Sequence, residues 1–91
     1  MNYFVYILYS SDLDLFYIGI SEDPVKRLKK HLANHKGFTG RAKDWKICYT
    51  ESFPKKADAL KREKQLKGWK NRQRIQQLIS STRGEPLAQT V

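Results

Sequence analysis

Residues 2–20 read Asn-Tyr-Phe-Val-Tyr-Ile-Leu-Tyr-Ser-Ser-Asp-Leu-Asp-Leu-Phe-Tyr-Ile-Gly-Ile. Two runs rich in aromatic and branched side chains, residues 2–9 and about 14–20, flank Ser10-Ser11-Asp12. Such runs favour extended backbone, and the serines and aspartate between them supply turn chemistry. The segment therefore predicts an antiparallel hairpin. Apolar side chains occupy odd and even positions alike, so both faces of the hairpin should be covered.

Downstream, Ser21-Glu22-Asp23-Pro24 is a helix start, with Asp23 as N-cap and Pro24 at the first helical position. Val25, Leu28 and Leu32 recur at i, i+3 and i+7, which predicts a helix over 24–33 with that stripe buried. Residues 34–44 hold two glycines and several polar groups and read as a loop. Trp45 to Thr50 reads as a third strand. A long helix is expected over about 55–67, with Ala59, Leu60 and Leu66 inward and Gly68 ending it. Asn71 can cap a last helix whose Ile75, Leu78 and Ile79 share one face. The order β-β-α-β-α-α predicts an α+β domain over residues 1–79, a three-stranded antiparallel sheet flanked by helices. The tail 80–91 lacks a periodic pattern and is expected to be disordered.

Ninety-one residues allow one core, and a chain this short buries only about 60–70% of the surface its unfolded form exposes. Cys48 stands alone, which excludes an intramolecular disulfide and a multi-cysteine zinc site. No stretch approaches the roughly 20 apolar residues of a membrane span, and no basic leader precedes the first apolar run, so a soluble, cytoplasmic protein is expected. The net charge is +9, and its distribution says more than its size. Residues 1–20 have Asp12 and Asp14 and no Lys or Arg, whereas residues 21–79 hold seventeen of the eighteen cations. A field of that kind attracts a phosphate backbone by counterion release, and a solvated lysine-rich surface is the plain alternative.

Three groups could carry chemistry. Tyr6 and Tyr17, with Gly19 two residues on, could face one another across the ladder, although tyrosines are also ordinary strand residues. Arg27 and His31 are four apart on one helix face and can converge on an anion, or can belong to a solvated basic face. Glu63 lies at i+4 from Ala59 and i−3 from Leu66, along an apolar stripe. A carboxylate there needs a partner: a salt bridge, or a hard cation such as Mg²⁺.

Together these residues resemble the GIY-YIG nuclease superfamily. Phe4-Val5-Tyr6, ten intervening residues and Tyr17-Ile18-Gly19 are similar to the motif pair that names it, with Phe-Val replacing Gly-Ile in the first. Val-Lys-Arg-Leu-Lys-Lys-His at 25–31 resembles the helix of the essential arginine. Phe53 to Glu63 resembles the segment that brings the metal-binding glutamate. The likeness is greatest to the small stand-alone bacterial branch, whose members are uncharacterised or excinuclease-like and repair-associated. The resemblance implies Tyr6, Tyr17, Arg27, His31 and Glu63 as catalytic residues, with Glu63 also the ligand of Mg²⁺ or Mn²⁺. The asparagine of many members has Asn71 as its nearest counterpart.

What the resemblance implies is a metal-dependent endonuclease that hydrolyses nucleic-acid phosphodiesters, DNA first, with little sequence specificity. Nearby cations and the metal would depress the pKa of the tyrosine that meets the attacking water, Tyr6 before Tyr17. Lys30, Lys36, Arg41, Lys64, Lys67, Lys70, Arg72 and Arg74 are the expected nucleic-acid contacts. Phe38 and Trp69 are possible stacking surfaces, Trp69 equally a core plug. The two hydroxyls, the Arg27 guanidinium and the Glu63 carboxylate should converge on one shallow basic surface. A non-catalytic basic nucleic-acid-binding module on the same fold is the alternative, and a basic protein-interaction domain a further one for which no motif is present. DNA, RNA, branched and damaged substrates all stay open. Neither a membrane nor an obligate protein partner is implied.

Overall fold

The hairpin forms as β1 (Tyr3–Ser10) and β2 (Leu15–Ser21), antiparallel, with Ser10 opposite Leu15. The computed structural model describes residues 2–33 and 39–81. Asp14 closes the four-residue turn in the left-handed region, at φ 55°. Helix α1 spans Pro24–Ala33, a single 3₁₀ turn spans Thr39–Arg41, and β3 is Lys46–Phe53. Helices α2 (Lys56–Trp69) and α3 (Arg72–Ser81) follow. The strand order is β2-β1-β3, all antiparallel, so β1 is central.

Alternation along β1 divides the core into two layers. Tyr6 and Leu8 face α1, packing with Ala42, Trp45 and Ile47. Val5 and Ile7 face the other way, toward Ala59 and Leu66 of α2 and Ile75 of α3. Helices thus cover both faces, as the unbroken apolar hairpin requires. In β3 the register slips between Ile7 and Leu8: Ile7 pairs with Tyr49, and Leu8 pairs with Ile47. Cys48 is the extra residue of this bulge. It places Ile47 and Tyr49, two apart in sequence, on opposite faces of the sheet.

Local signals explain most boundaries. Asp23 Oδ1 accepts from the Lys26 amide (3.1 Å) and Asn71 Oδ1 from the Gln73 amide (2.9 Å), so both are N-caps. Lys43 Nζ donates to the Leu32 carbonyl (2.9 Å) and caps the C-terminal end of α1.

Four expectations need correction. Val25 is 45% exposed, and the inward stripe of α1 is Pro24, Leu28, His31 and Leu32, because Pro24 opens the helix against the core. Leu60 is 43% exposed: Ala59 and Leu66 take the inward line of α2. Gly68 does not end α2. The helix continues through Trp69, whose ring packs beside Leu78, and Lys70 adopts the left-handed cap at φ 49°. Helix α3 runs to Ser81, past the expected boundary at 79, and the rest of the tail lies outside the described residues.

Asp44 ties the start of β3 to the hairpin. Its carboxylate accepts from Ser10 Oγ (2.6 Å), Ser11 Oγ (3.0 Å) and the Asp12 amide (2.8 Å). The Ser10 hydrogen bond, then the Asp12 amide, hold its pKa down to about 2, against an ordinary 3.8. Because the folded-state value is the lower one, the stabilisation is complete above the unfolded-state value and fades as pH falls through the folded one. Asp44→Ala should therefore lower Tm at neutral pH, and its deficit should shrink between about pH 4 and pH 2. A deficit independent of pH over that window, in paired thermal melts, would exclude this origin.

Candidate active site

Tyr6 is the centre of the site. It is 1% exposed, and its hydroxyl hydrogen-bonds His31 Nε2 at 3.0 Å. Its cross-strand partner is Gly19, not Tyr17, which pairs with Leu8. The two tyrosines are diagonal neighbours on one face, with ring centroids 6.4 Å apart. Tyr17 presents its ring to the His31 imidazole edge-on at 4.9 Å, and Trp45 backs it at 6.5 Å.

Gly19 permits this arrangement. A Cβ built there would lie 2.5 Å from the Tyr6 hydroxyl oxygen and 2.7 Å from Cζ. The Tyr6 ring therefore lies over bare backbone of β2, and its hydroxyl reaches toward the outer edge of the sheet.

Helix α1 delivers Arg27 and His31 one turn apart. His31 is 8% exposed, whereas Arg27 is exposed. With Lys30 and Ala33 they line a shallow cleft of about 410 Å³. Burial, and then the positive charge of Arg27, lower the His31 pKa from 6.5, so the imidazole is neutral at pH 7. Burial also pushes the Tyr6 hydroxyl up to about 12, with Tyr17 and Glu63 adding to the rise. Arg27 opposes it by charge and hydrogen bonding and is outweighed. The depression expected from nearby cations is thus corrected for the protein's own groups: removing the phenol from water costs its anion more than one guanidinium returns.

Glu63 approaches from the other layer. Helix α2 packs on the Val5 face, opposite the Tyr6 ring, yet the Glu63 charge acts on the Tyr6 hydroxyl. The two layers meet at the β2 edge, where Tyr6 crosses Gly19. The Glu63 side chain is only 17% exposed and pairs with Lys67 Nζ at 3.4 Å, the salt bridge that the sequence left open. That pair adds little stability, since Lys67 is 54% exposed.

Among the described residues no cluster of three or more His, Cys, Asp or Glu could hold a metal ion. One sheltered carboxylate fits Mg²⁺ or Mn²⁺ only where water and substrate phosphate complete the shell, which is how Mg²⁺ is usually held beside phosphates.

The expected nucleic-acid contacts divide. Lys30 lines the α1 cleft. Lys67, Lys70 and Arg72 line a second groove, beside β2. Lys64 and Arg41 are exposed, while Lys36 and Phe38 lie outside the described residues. Arg72 is engaged by the Asp14 carboxylate and carbonyl. Arg74 covers one face of Trp69 at 4.2 Å, so Trp69 is a capped core plug and not an open stacking surface. Asn71 is spent on capping α3. Sequence reasoning missed Gly19 as the seat of Tyr6 and Lys67 as the partner of Glu63. The i, i+4 spacing of Glu63 and Lys67 was the available signal.

A three-stranded antiparallel sheet with helices on both faces and this tyrosine–arginine–histidine cluster defines a nuclease-type α+β domain. Residues 2–76 match the GIY-YIG catalytic domain, and the chain belongs to the GIY-YIG family. It is similar to a UPF0213 protein from Bacillus halodurans, solved by solution NMR, at 32% identity and a TM-score of 0.59. That match covers 100% of this chain and 95% of the other. No curated protein matches the chain.

If Gly19 is required for clearance, Gly19→Ala should cost about 1–3 kcal/mol, although Ala ordinarily improves on Gly in a strand. In a Tyr6→Leu background the same substitution should cost almost nothing. Denaturant melts of the four proteins decide it: equal costs in both backgrounds would exclude the collision.

Proposed function

We infer that the protein is a divalent-metal-dependent endonuclease that hydrolyses nucleic-acid phosphodiesters, DNA foremost, by recognising backbone more than sequence. The observation that carries this reading is a neutral His31 bonded to Tyr6 and flanked by Arg27, with the Glu63 charge registering at the same hydroxyl. Family membership supports the reaction class. Repair-associated work on DNA in the cytoplasm is consistent with the lone cysteine and with the absence, among the described residues, of a helix long and apolar enough to cross a membrane.

Each group has a role that its surroundings suit. Arg27, exposed at the cleft, meets the scissile phosphate and stabilises the charge that builds in the transition state. The Tyr6–His31 pair takes up the proton of the attacking water. Its acceptor at neutral pH is Nδ1 of the imidazole, in the tautomer whose Nε2–H donates to the Tyr6 oxygen, since a phenol at about 12 is almost wholly protonated there. Tyr6, fully buried, holds the imidazole in place, and half-buried Tyr17 is the hydroxyl better placed to meet substrate. Glu63 would hold Mg²⁺ or Mn²⁺, which neutralises phosphate charge and eases departure of the leaving oxygen. Lys30 and Arg41 add backbone attraction on the α1 side, and Lys64 and Lys67 on the α2 side.

Glu63→Gln keeps shape and removes charge, so metal-dependent cleavage should fall at least ~100-fold while metal-free DNA binding persists or rises. Arg27→Ala should suppress cleavage similarly, with a modest loss of binding. Melting, binding and cleavage measured on the same preparations separate the readings. A lower Tm with cleavage intact would reduce Glu63 to a salt-bridge partner, and an unmodified protein inert on every substrate would leave a binding module.

The pH profile tests the proton acceptor. A group with a lowered pKa becomes competent below its ordinary range, so the acid limb of the cleavage profile should have its midpoint on the acid side of 6.5. A rate that keeps climbing through pH 9 toward the Tyr6 value would assign the base to the phenolate instead.

A further inference from the structure

Of the residues with these roles, Tyr17 and Lys67 also line the groove beside β2, whose apolar residues none of the roles use. The groove has a volume of about 600 Å³, within the range of ligand sites, and Leu15, Phe16, Ile18 and Leu66 are among its lining residues. Lys67 and Lys70 stand on its rim. β2 ends the sheet on this side, with β1 as its one neighbour strand among the described residues. A lining that combines apolar side chains with two cations complements a ligand with a flat apolar face and an anionic link. A nucleotide has both.

The groove and the candidate active site have strand β2 in common. Tyr17 packs against His31 and lines the groove as well. Lys67, on the rim, reaches the Glu63 carboxylate one helical turn away. A strand whose scissile phosphate lies at Arg27 and Glu63 therefore delivers its neighbouring nucleotide to the groove. In a duplex both faces of that base are stacked and its edge is paired. A base must leave the stack to rest on the aliphatic lining at Ile18 and Leu66, since Arg72 already covers the Phe16 ring at 5.4 Å, and a base already unpaired does so at least cost. Arg72, fixed by Asp14, lies over the Phe16 ring in the lining and is not available as a phosphate ligand.

We propose that the β2-edge groove binds the base of an unpaired nucleotide adjacent to the scissile phosphate, with its flanking phosphates on Lys67 and Lys70. Resting on the nuclease reading above, this selects substrates with an unpaired nucleotide at the cleavage position over fully paired ones.

The test uses the full chain in chelator, so that binding is read without cleavage. Two labelled DNA hairpins of matched sequence are compared by fluorescence anisotropy, one fully paired and one with a single unpaired thymidine. The unpaired hairpin should bind about tenfold more tightly, as one stacked base allows. Lys70→Gly removes a cation at a left-handed position that glycine readily adopts, and Phe16→Ala removes part of the lining. Each should cut the preference severalfold, and Phe16→Ala should change binding of the paired hairpin little, with Tm measured alongside. In the unmodified protein, 5-iodouracil at the unpaired position should photocrosslink within residues 15–18 or 66–70.

Equal affinity for the two hairpins, or crosslinks confined elsewhere, would overturn the proposal. So would a preference that survives both substitutions, or dimerisation that both substitutions abolish, which would make the occupant a second copy. A protein that prefers the unpaired hairpin but never cleaves keeps the groove and loses the nuclease reading. One that cleaves without preference does the reverse.

Discussion

The site depends on one close approach, the Tyr6 ring lying across Gly19 on the neighbouring strand. With no Cβ in the way, the hydroxyl passes from central β1 to the margin of the sheet, where it meets His31. The same path brings it within range of a carboxylate from the opposite layer. A three-stranded sheet has few positions from which a central side chain can reach both layers, and a glycine on an edge strand makes one. Burial of Tyr6 and exposure of Arg27 then follow from where each sits along that path.

Desolvation rather than ion pairing sets the electrostatics of the cluster. Basic side chains dominate the surface, yet burial is the largest influence on both Tyr6 and His31. Arg27 acts on both in the same sense, favouring loss of a proton: it keeps the imidazole neutral and partly offsets the cost of the phenolate. The structure thereby separates two kinds of basic residue. Some cations surround the site or the β2 groove, while Arg62, Arg72 and Arg74 hold the fold together. Arg62 clasps Glu51 beside Tyr49, Arg72 clasps the hairpin turn, and Arg74 lies on Trp69. Charge counting alone treats these groups alike.

Much was legible in the chain because local rules agreed with the fold. The hairpin, both N-caps at Asp23 and Asn71, and the antiparallel α+β order follow from propensity, capping and periodicity, which act over a few residues. The readings that failed needed information from elsewhere in the chain. Val25 and Leu60 fit a helical period and still face water, because period fixes spacing and not which neighbouring stripe meets the sheet. Gly68 carried a stop signal that the packing of Trp69 overrode. The bulge at Cys48, which sends Ile47 and Tyr49 to opposite layers, leaves no trace in alternation.

The sequence by itself determined the element types, their order and the basic character of residues 21–79. These rest on interactions between near neighbours and on composition. Tertiary structure alone decided that Tyr6 sits opposite Gly19 rather than Tyr17, that Tyr6 is buried and its pKa raised, that Glu63 arrives from the far layer, and which cations are already engaged. Register and burial are properties of contacts between distant segments, and water excluded by the whole fold, not by any local motif, sets the proton affinity of Tyr6 and His31.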